Sequence, residues 1–249
     1  EDDGLVLAGE RAWHGLGIIV KDAPTPRKAL EIAKLDWEVE QWQLFARRNE
    51  AEKAISESVL NVRSDTGGKL GIVGKGYKPI QNTELADFCE ALAEQDDVVK
   101  VETAGSIRGG KKVWFLLRGD SFGVAPRAVQ KKNATTGEDE IVPYICVSNG
   151  HDGGTALRCT ATTVRVVCSN TLHMVIPTYE REGGGLKTLA EASYVAMHTG
   201  NMEEKIAAAK EALGMYGKGL VVTRSFIDAV AAKSLDTEAV KRFFLECYV

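Results

Sequence analysis

The chain has 249 residues, 44% hydrophobic and 27% charged, an ordinary globular composition that excludes wholesale disorder. No stretch approaches the roughly 20 apolar residues of a membrane span, and Glu1-Asp2-Asp3-Gly4 does not open a basic-then-apolar leader. A net charge of −4 provides no global positive field, so any polyanion site must be a local one.

In chain order, Arg11-Ala12-Trp13-His14-Gly15-Leu16-Gly17 reads as a loop running into a short strand at Ile18-Ile19-Val20. Thr25-Pro26 is an N-cap hydroxyl followed by proline at the first helical position, and predicts a helix to about Leu35. Alternation from Asp36 predicts a strand to Phe45, with a bulge where the phase breaks at Gln41-Trp42. The polar run from Arg47 to Ala54 reads as a solvated loop. A hairpin is expected from Glu57–Arg63 and Lys69–Val73 around Ser64-Asp65-Thr66-Gly67-Gly68. Asn82-Thr83-Glu84 starts a second helix with Leu85, Phe88, Cys89 and Leu92 at helical spacing. Val98 to Ile107 and Lys112 to Leu117 form a second hairpin turning at Arg108-Gly109-Gly110-Lys111.

Phe122 to Glu140 reads as a polar excursion, Ile141 to Ser148 as a central strand, and Ala156 to Val167 as β structure resumed after Asn149-Gly150-His151-Asp152-Gly153-Gly154. Gly183-Gly184-Gly185 is a flexible break, and one last strand is expected within Ala192 to Thr199. Beyond Gly200 the chain reads as helical: Met202, Ile206, Ala209 and Leu213 form one stripe, followed by short helices near Ser225–Lys233 and Asp236–Val249. The expected architecture is therefore α+β, a mostly antiparallel sheet with interleaved helices over residues 1–200 and a helical module over 201–249. Lacking an initiator Met and ending in apolar Phe243, Phe244, Leu245, Tyr248 and Val249, the chain reads as the ordered part of a longer polypeptide whose helical module docks on a neighbouring copy.

The five cysteines, an odd number without a CxxC pair, read as reduced thiols of a cytoplasmic protein. Gly105-Ser106-Ile107-Arg108-Gly109-Gly110-Lys111-Lys112 nearly fits a phosphate-binding P-loop. However, Lys112 stands where a magnesium-binding hydroxyl belongs, and a strand pattern follows where a helix should open. A basic hairpin tip is the better reading. Glycines around Lys75, Tyr77 and Lys78 suit close approach of a backbone phosphate and a base, or equally a tight turn packed by Tyr77. Arg158, Thr160 and Thr162 alternate with Leu157, Cys159 and Ala161, which puts a cation and two hydroxyls on one strand face, with Thr163 and Arg165 following. An ordinary solvated sheet face would show the same pattern.

An enzyme would use Cys168 as nucleophile, His151 or His173 as base and Asp152 as orienter. Against this, Val166-Val167-Cys168 is the context of an inert buried thiol. Zinc ligation by His151, Asp152, Cys159 and Cys168 lacks a recurrent ligand spacing. No catalytic residue, metal or cofactor is assigned.

Several motifs carry a resemblance. They are Trp13-His14-Gly15-Leu16-Gly17, Tyr77-Lys78-Pro79-Ile80-Gln81-Asn82, Gly105 to Gly110, His151-Asp152-Gly153, Val164 to Leu172, and His198-Thr199-Gly200-Asn201. In this order, over residues 10 to about 215, they resemble a family of phage- and plasmid-like proteins known as a domain of unknown function. The resemblance implies a mobile-element setting and no activity. In its order of elements the chain is also similar to the single-strand annealing proteins of phage recombination, RecT and Red beta, and to their eukaryotic repair counterpart; no site residue is carried over from them.

These readings converge on an expectation of single-stranded DNA binding and ATP-independent strand annealing by a cytoplasmic homo-oligomer (host cytoplasm if phage-encoded). Arg158 and Arg165 are the main phosphate ligands, with Lys75, Lys78, Arg108, Lys111 and Lys112 as outer contacts. Thr160 and Thr162 give phosphate oxygens room, and Tyr77 stacks a base. The alternatives are an enzyme of nucleotide or small-molecule metabolism, and a phage structural or host-interaction protein.

Overall fold

The computed structural model describes residues 4–49, 51–92, 98–119, 127–129, 139–175, 193–198 and 200–211. In chain order these form β1 (Leu5–Ala8), β2 (Ile18–Val20), α1 (Pro26–Ile32), β3 (Val39–Arg48), β4 (Ala51–Arg63), β5 (Lys69–Gly74) and α2 (Asn82–Ala91). There follow β6 (Val101–Ile107), β7 (Lys112–Arg118), β8 (Arg127–Val129), β9 (Asp139–Ile141), β10 (Tyr144–Gly150), β11 (Leu157–Thr162), α3 (Ser169–Val175) and β12 (Ser193–Ala196). A fourth helix, α4, spans residues 202–211. The protein is α+β with a mostly antiparallel sheet, and none of its described helices is long and apolar enough to cross a membrane.

Seven strands in the order β12-β11-β10-β7-β6-β1-β2 make the main sheet, antiparallel at every step except β1 with β2. Its interior strand β10 is buried at all seven positions, because both faces of the sheet are covered. On one face, Val113, Phe115 and Leu117 of β7 and Leu157 and Cys159 of β11 pack with Leu30 of α1, Leu85 and Phe88 of α2, and Ala209 of α4. On the other, Trp114, Leu116, Tyr144 and Cys146 are covered by Val166, Leu172 and Val175 of the run into α3. Gly105 is required here: a Cβ would lie 2.6 Å from the Trp114 ring. Strands β3, β4 and β5 form a second sheet. It docks where Gly71 meets the Asp152 backbone, with no room for a Cβ.

Local chemistry sets the boundaries. Thr25 caps α1 by accepting from the Lys28 N–H. The helix then stops at Ile32, short of the expected Leu35, because Lys34 adopts φ 54°. The Leu35 N–H reaches Leu30 O, the Lys34 N–H reaches Glu31 O, and Leu35 turns into the core as the apolar lock of a Schellman ending. α2 starts at Asn82 as expected, with Gln81 as its cap, and Glu84 accepts from the Gln81 N–H at 2.7 Å.

Three sequence expectations are corrected. The stretch from Arg47 to Ala54 is not a loop, since β3 and β4 continue through it as a ribbon. Both faces of that ribbon are exposed, so no apolar alternation marked it. The bulge falls between Gln43 and Leu44, not at Gln41-Trp42. β11 ends at Thr162, and residues 163–168 are irregular where a strand was expected to reach Val167. Beyond Gly200, α4 packs Ala209, Met202 and Ile206 on the main core. The Gly183 to Gly185 break, the rest of the helical module and its terminal aromatics lie outside the described residues.

Candidate functional site

The expected β11 face is present. Arg158 pairs across the strands with Ser148 of β10, and Ser148 in turn with Trp114 of β7; Lys112 lies opposite Gly150. Directly opposed residues share a face, so Arg158, Ser148 and the β7 side chains Lys112 and Trp114 project from the same side of the sheet. Arg158 is half-buried, and among the described residues it has neither a hydrogen-bond nor an ion-pair partner. Ser148 is 1% exposed and its Oγ has no partner. The exposed Arg108, in the β6–β7 turn at φ 57°, completes the group.

The charges of these side chains act on one another. Burial lowers the Lys112 pKa, Asp152 opposes that shift, and Arg108 and Arg158 add to it. His173 of α3 is lowered by burial and then by Lys112 and Arg108. It also lies 3.4 Å from Ser169 Oγ through Nδ1. Asp152 Oδ1 accepts from the Gly154 N–H at 2.9 Å, which turns the loop back into β11.

Other expected ligands are differently placed. Arg165 is off the strand and already engaged: Nε donates to Glu102 Oε1 at 2.6 Å, and Nη2 to Ala8 O and Glu10 O at 2.9 and 3.0 Å. It ties the run before α3 to β1 and β6, which engages the guanidinium that was expected to be a main phosphate ligand. Thr160 is buried, and Thr162 Oγ1 accepts from the Val164 N–H at 3.0 Å, so neither offers the open hydroxyl expected. Lys112 is not a hairpin-tip charge; it is the first residue of β7, only 8% exposed. Lys111 is half-buried, and its carbonyl accepts from the His151 N–H.

Tyr77 stacks on His198 with ring centroids 4.6 Å apart, and its hydroxyl donates to Gly150 O at 2.8 Å. One ring face and the hydroxyl are thus occupied, and burial drives the phenol pKa far above its ordinary value. Lys75 and Lys78 flank it, exposed. The Tyr77–Gly150 bond brings this loop to the Lys112 end of the sheet, because Gly150 is the residue opposite Lys112.

Beneath this end lies a buried polar clasp that sequence reasoning missed. Asn82 Nδ2 donates to Leu35 O and Trp37 O, leaving Oδ1 to accept from His151 Nε2 at 2.9 Å. Asn149 Nδ2 donates to Ile80 O, and Oδ1 accepts from His198 Nε2 at 2.7 Å. Both imidazoles are therefore Nε2–H tautomers. Burial, then His198, lowers His151 to about 3; burial, then Lys205, lowers His198 to about 4, with Asp152 opposing. In the sequence, Asn82, Asn149, His151 and His198 fall in polar or glycine-rich stretches with no period to mark them as buried.

Of the alternative catalytic set, His151 and Cys168 are not brought together. His151 faces Trp37 and α2 on one side of the main sheet, while Cys168 packs beside Leu7 and Val167 on the other. Burial would raise the Cys168 thiol. Hydrogen bonds from the Thr171 hydroxyl and from the N–H groups of Thr171 and Asn170 outweigh that and lower it. Among the described residues no three His, Cys, Asp or Glu side chains converge as metal ligands.

Comparison with known proteins yields one match: residues 69–248 fit the family described as a domain of unknown function, DUF932. The Trp13 to Gly17 motif lies outside the matched span. No curated protein and no solved structure matches the chain.

Proposed function

Because the chain belongs to this family, whose description assigns no activity, we propose from the site itself that the protein binds single-stranded nucleic acid and serves ATP-independent pairing of complementary strands. The observation that carries the reading is the Arg158 guanidinium, without an ion-pair partner among the described residues, on a sheet face beside Lys112 and Arg108. A guanidinium held by a strand loses less side-chain entropy on contact than a loop cation, and its planar fork suits phosphate oxygens. The exposed Lys75 and Lys78 flank Tyr77, whose hydroxyl bonds Gly150 O at the same end of the sheet. The near-P-loop stretch turns from β6 directly into β7, which favours a binding role over a nucleotide-driven motor.

The mobile-element setting, a host-cytoplasm location and self-association through the chain beyond residue 201 belong to the same reading. Anisotropy of a labelled single-stranded oligonucleotide, titrated at several salt concentrations, tests it. Micromolar binding that weakens with salt is expected, followed by faster quenching when a complementary strand is added. Salt-independent binding, or none, overturns it.

A further inference from the structure

We infer that the face formed by Arg108, Lys112, Arg158 and Ser148 takes a phosphate monoester, which the nucleic-acid reading above identifies as the terminal phosphate of a strand. The inference rests on that reading and adds which phosphate the face holds.

The cations converge instead of forming a track. A strand interior carries one charge per nucleotide, spread along its length, and is matched by cations spaced along a groove. Here Arg108 adjoins Lys112 across the β6–β7 turn, Arg158 projects from the same sheet face as Lys112, and both arginines act electrostatically on the largely buried Lys112. Among the described residues, Asp152 is the carboxylate that acts on Lys112, and the three cations outnumber it by two. A monoester carries about −1.5 to −2 near pH 7, whereas an internal diester carries one negative charge. The dianion therefore matches the cluster, and a diester would leave a partly desolvated cation uncompensated.

The buried Ser148 hydroxyl supports the same ligand. It stands between Arg158 and Trp114 on the face that bears the cations, and its Oγ has no partner. Buried hydroxyls normally find one. A phosphoryl group has three terminal oxygens when esterified once, enough to accept from a hydroxyl while two others meet guanidinium and ammonium.

The test compares one oligonucleotide sequence with a 5′-phosphate, a 3′-phosphate or hydroxyls at both ends, alongside a nucleoside monophosphate. Binding is read by anisotropy for the strands and by thermal shift for the mononucleotide. At least one phosphorylated end should bind about tenfold more tightly than the hydroxyl-ended strand. Ser148→Ala and Arg158→Gln, checked for an unchanged melting profile, should remove most of that advantage. Equal binding of phosphorylated and hydroxyl-ended strands by the wild-type protein overturns the inference and leaves strand binding standing. Mononucleotide binding without strand binding supports the monoester site and overturns the nucleic-acid reading instead.

Discussion

Two arginines seven residues apart illustrate how environment decides a role. Arg165 makes three short bonds that tie Glu102, Ala8 and Glu10 to the run before α3. Arg165→Ala should therefore cost about 2–4 kcal/mol in urea unfolding, since it strands a largely buried carboxylate and two carbonyls. The salt dependence of oligonucleotide binding should not change. Arg158→Ala should behave oppositely, with unfolding shifted by less than about 1 kcal/mol and weaker, less salt-sensitive binding. The cysteines separate in the same way. Cys168, partly exposed and with a lowered thiol pKa, should be alkylated in the native protein. Burial raises Cys89, Cys146 and Cys159, so these should react only on unfolding. Peptide mass spectrometry of iodoacetamide-treated protein, read at these four positions, distinguishes native alkylation of Cys168 alone from reaction at several.

Among the elements, the clasp joining α2, β10 and the Tyr77 loop carries the pH dependence. His151 and His198 are neutral in the fold, with pKa values lowered to about 3 and about 4. In the unfolded chain they take a proton near the ordinary histidine value of about 6.5. Between those limits the unfolded state binds more protons, so their contribution is complete above about pH 6.5 and declines as the pH falls. His151 alone should reduce stability by about 1.4 kcal/mol per pH unit through that window, with His198 acting in the same direction. Urea midpoints at pH 7, 6 and 5 measure it; a flat profile would show that the imidazoles take up protons in the fold as readily as in the unfolded chain. Asn82→Ala removes the acceptor of His151 and the donor to Leu35 and Trp37. It should cost about 2–4 kcal/mol and make the pH dependence shallower.

At the scale of the whole molecule, a net charge of −4 coexists with one face where cations outnumber carboxylates. Long-range attraction to a polyanion is therefore weak, and binding depends on the local site. Adding salt should slow dissociation-limited capture little and weaken the final complex by a slope of only two or three phosphates, about 0.7 log units per phosphate per decade of salt. A protein with a uniformly basic surface would show a steeper slope. Light scattering with and without an oligonucleotide measures whether copies assemble on a strand, as the proposed self-association requires.

Sequence alone determined the features that depend on neighbouring residues. The α1 start at Thr25-Pro26, both hairpins and the alternation that puts Arg158, Thr160 and Thr162 on one face follow from caps, turn residues and period two, and the structure contains each of them. The Schellman ending at Lys34 and the exposed β3–β4 ribbon were hidden, one because lysine rarely marks a left-handed turn, the other because a ribbon exposed on both faces has no apolar period. Only the tertiary structure decided which polar side chains remain available. It brought Glu102 to Arg165, covered Thr160, used the Tyr77 hydroxyl on Gly150, and set Ser148 beside Arg158 without a partner. Partners of that kind are separated by tens of residues in the chain, and whether a cation is spent on an internal acceptor or left for a ligand is settled by which strands and loops fold against it.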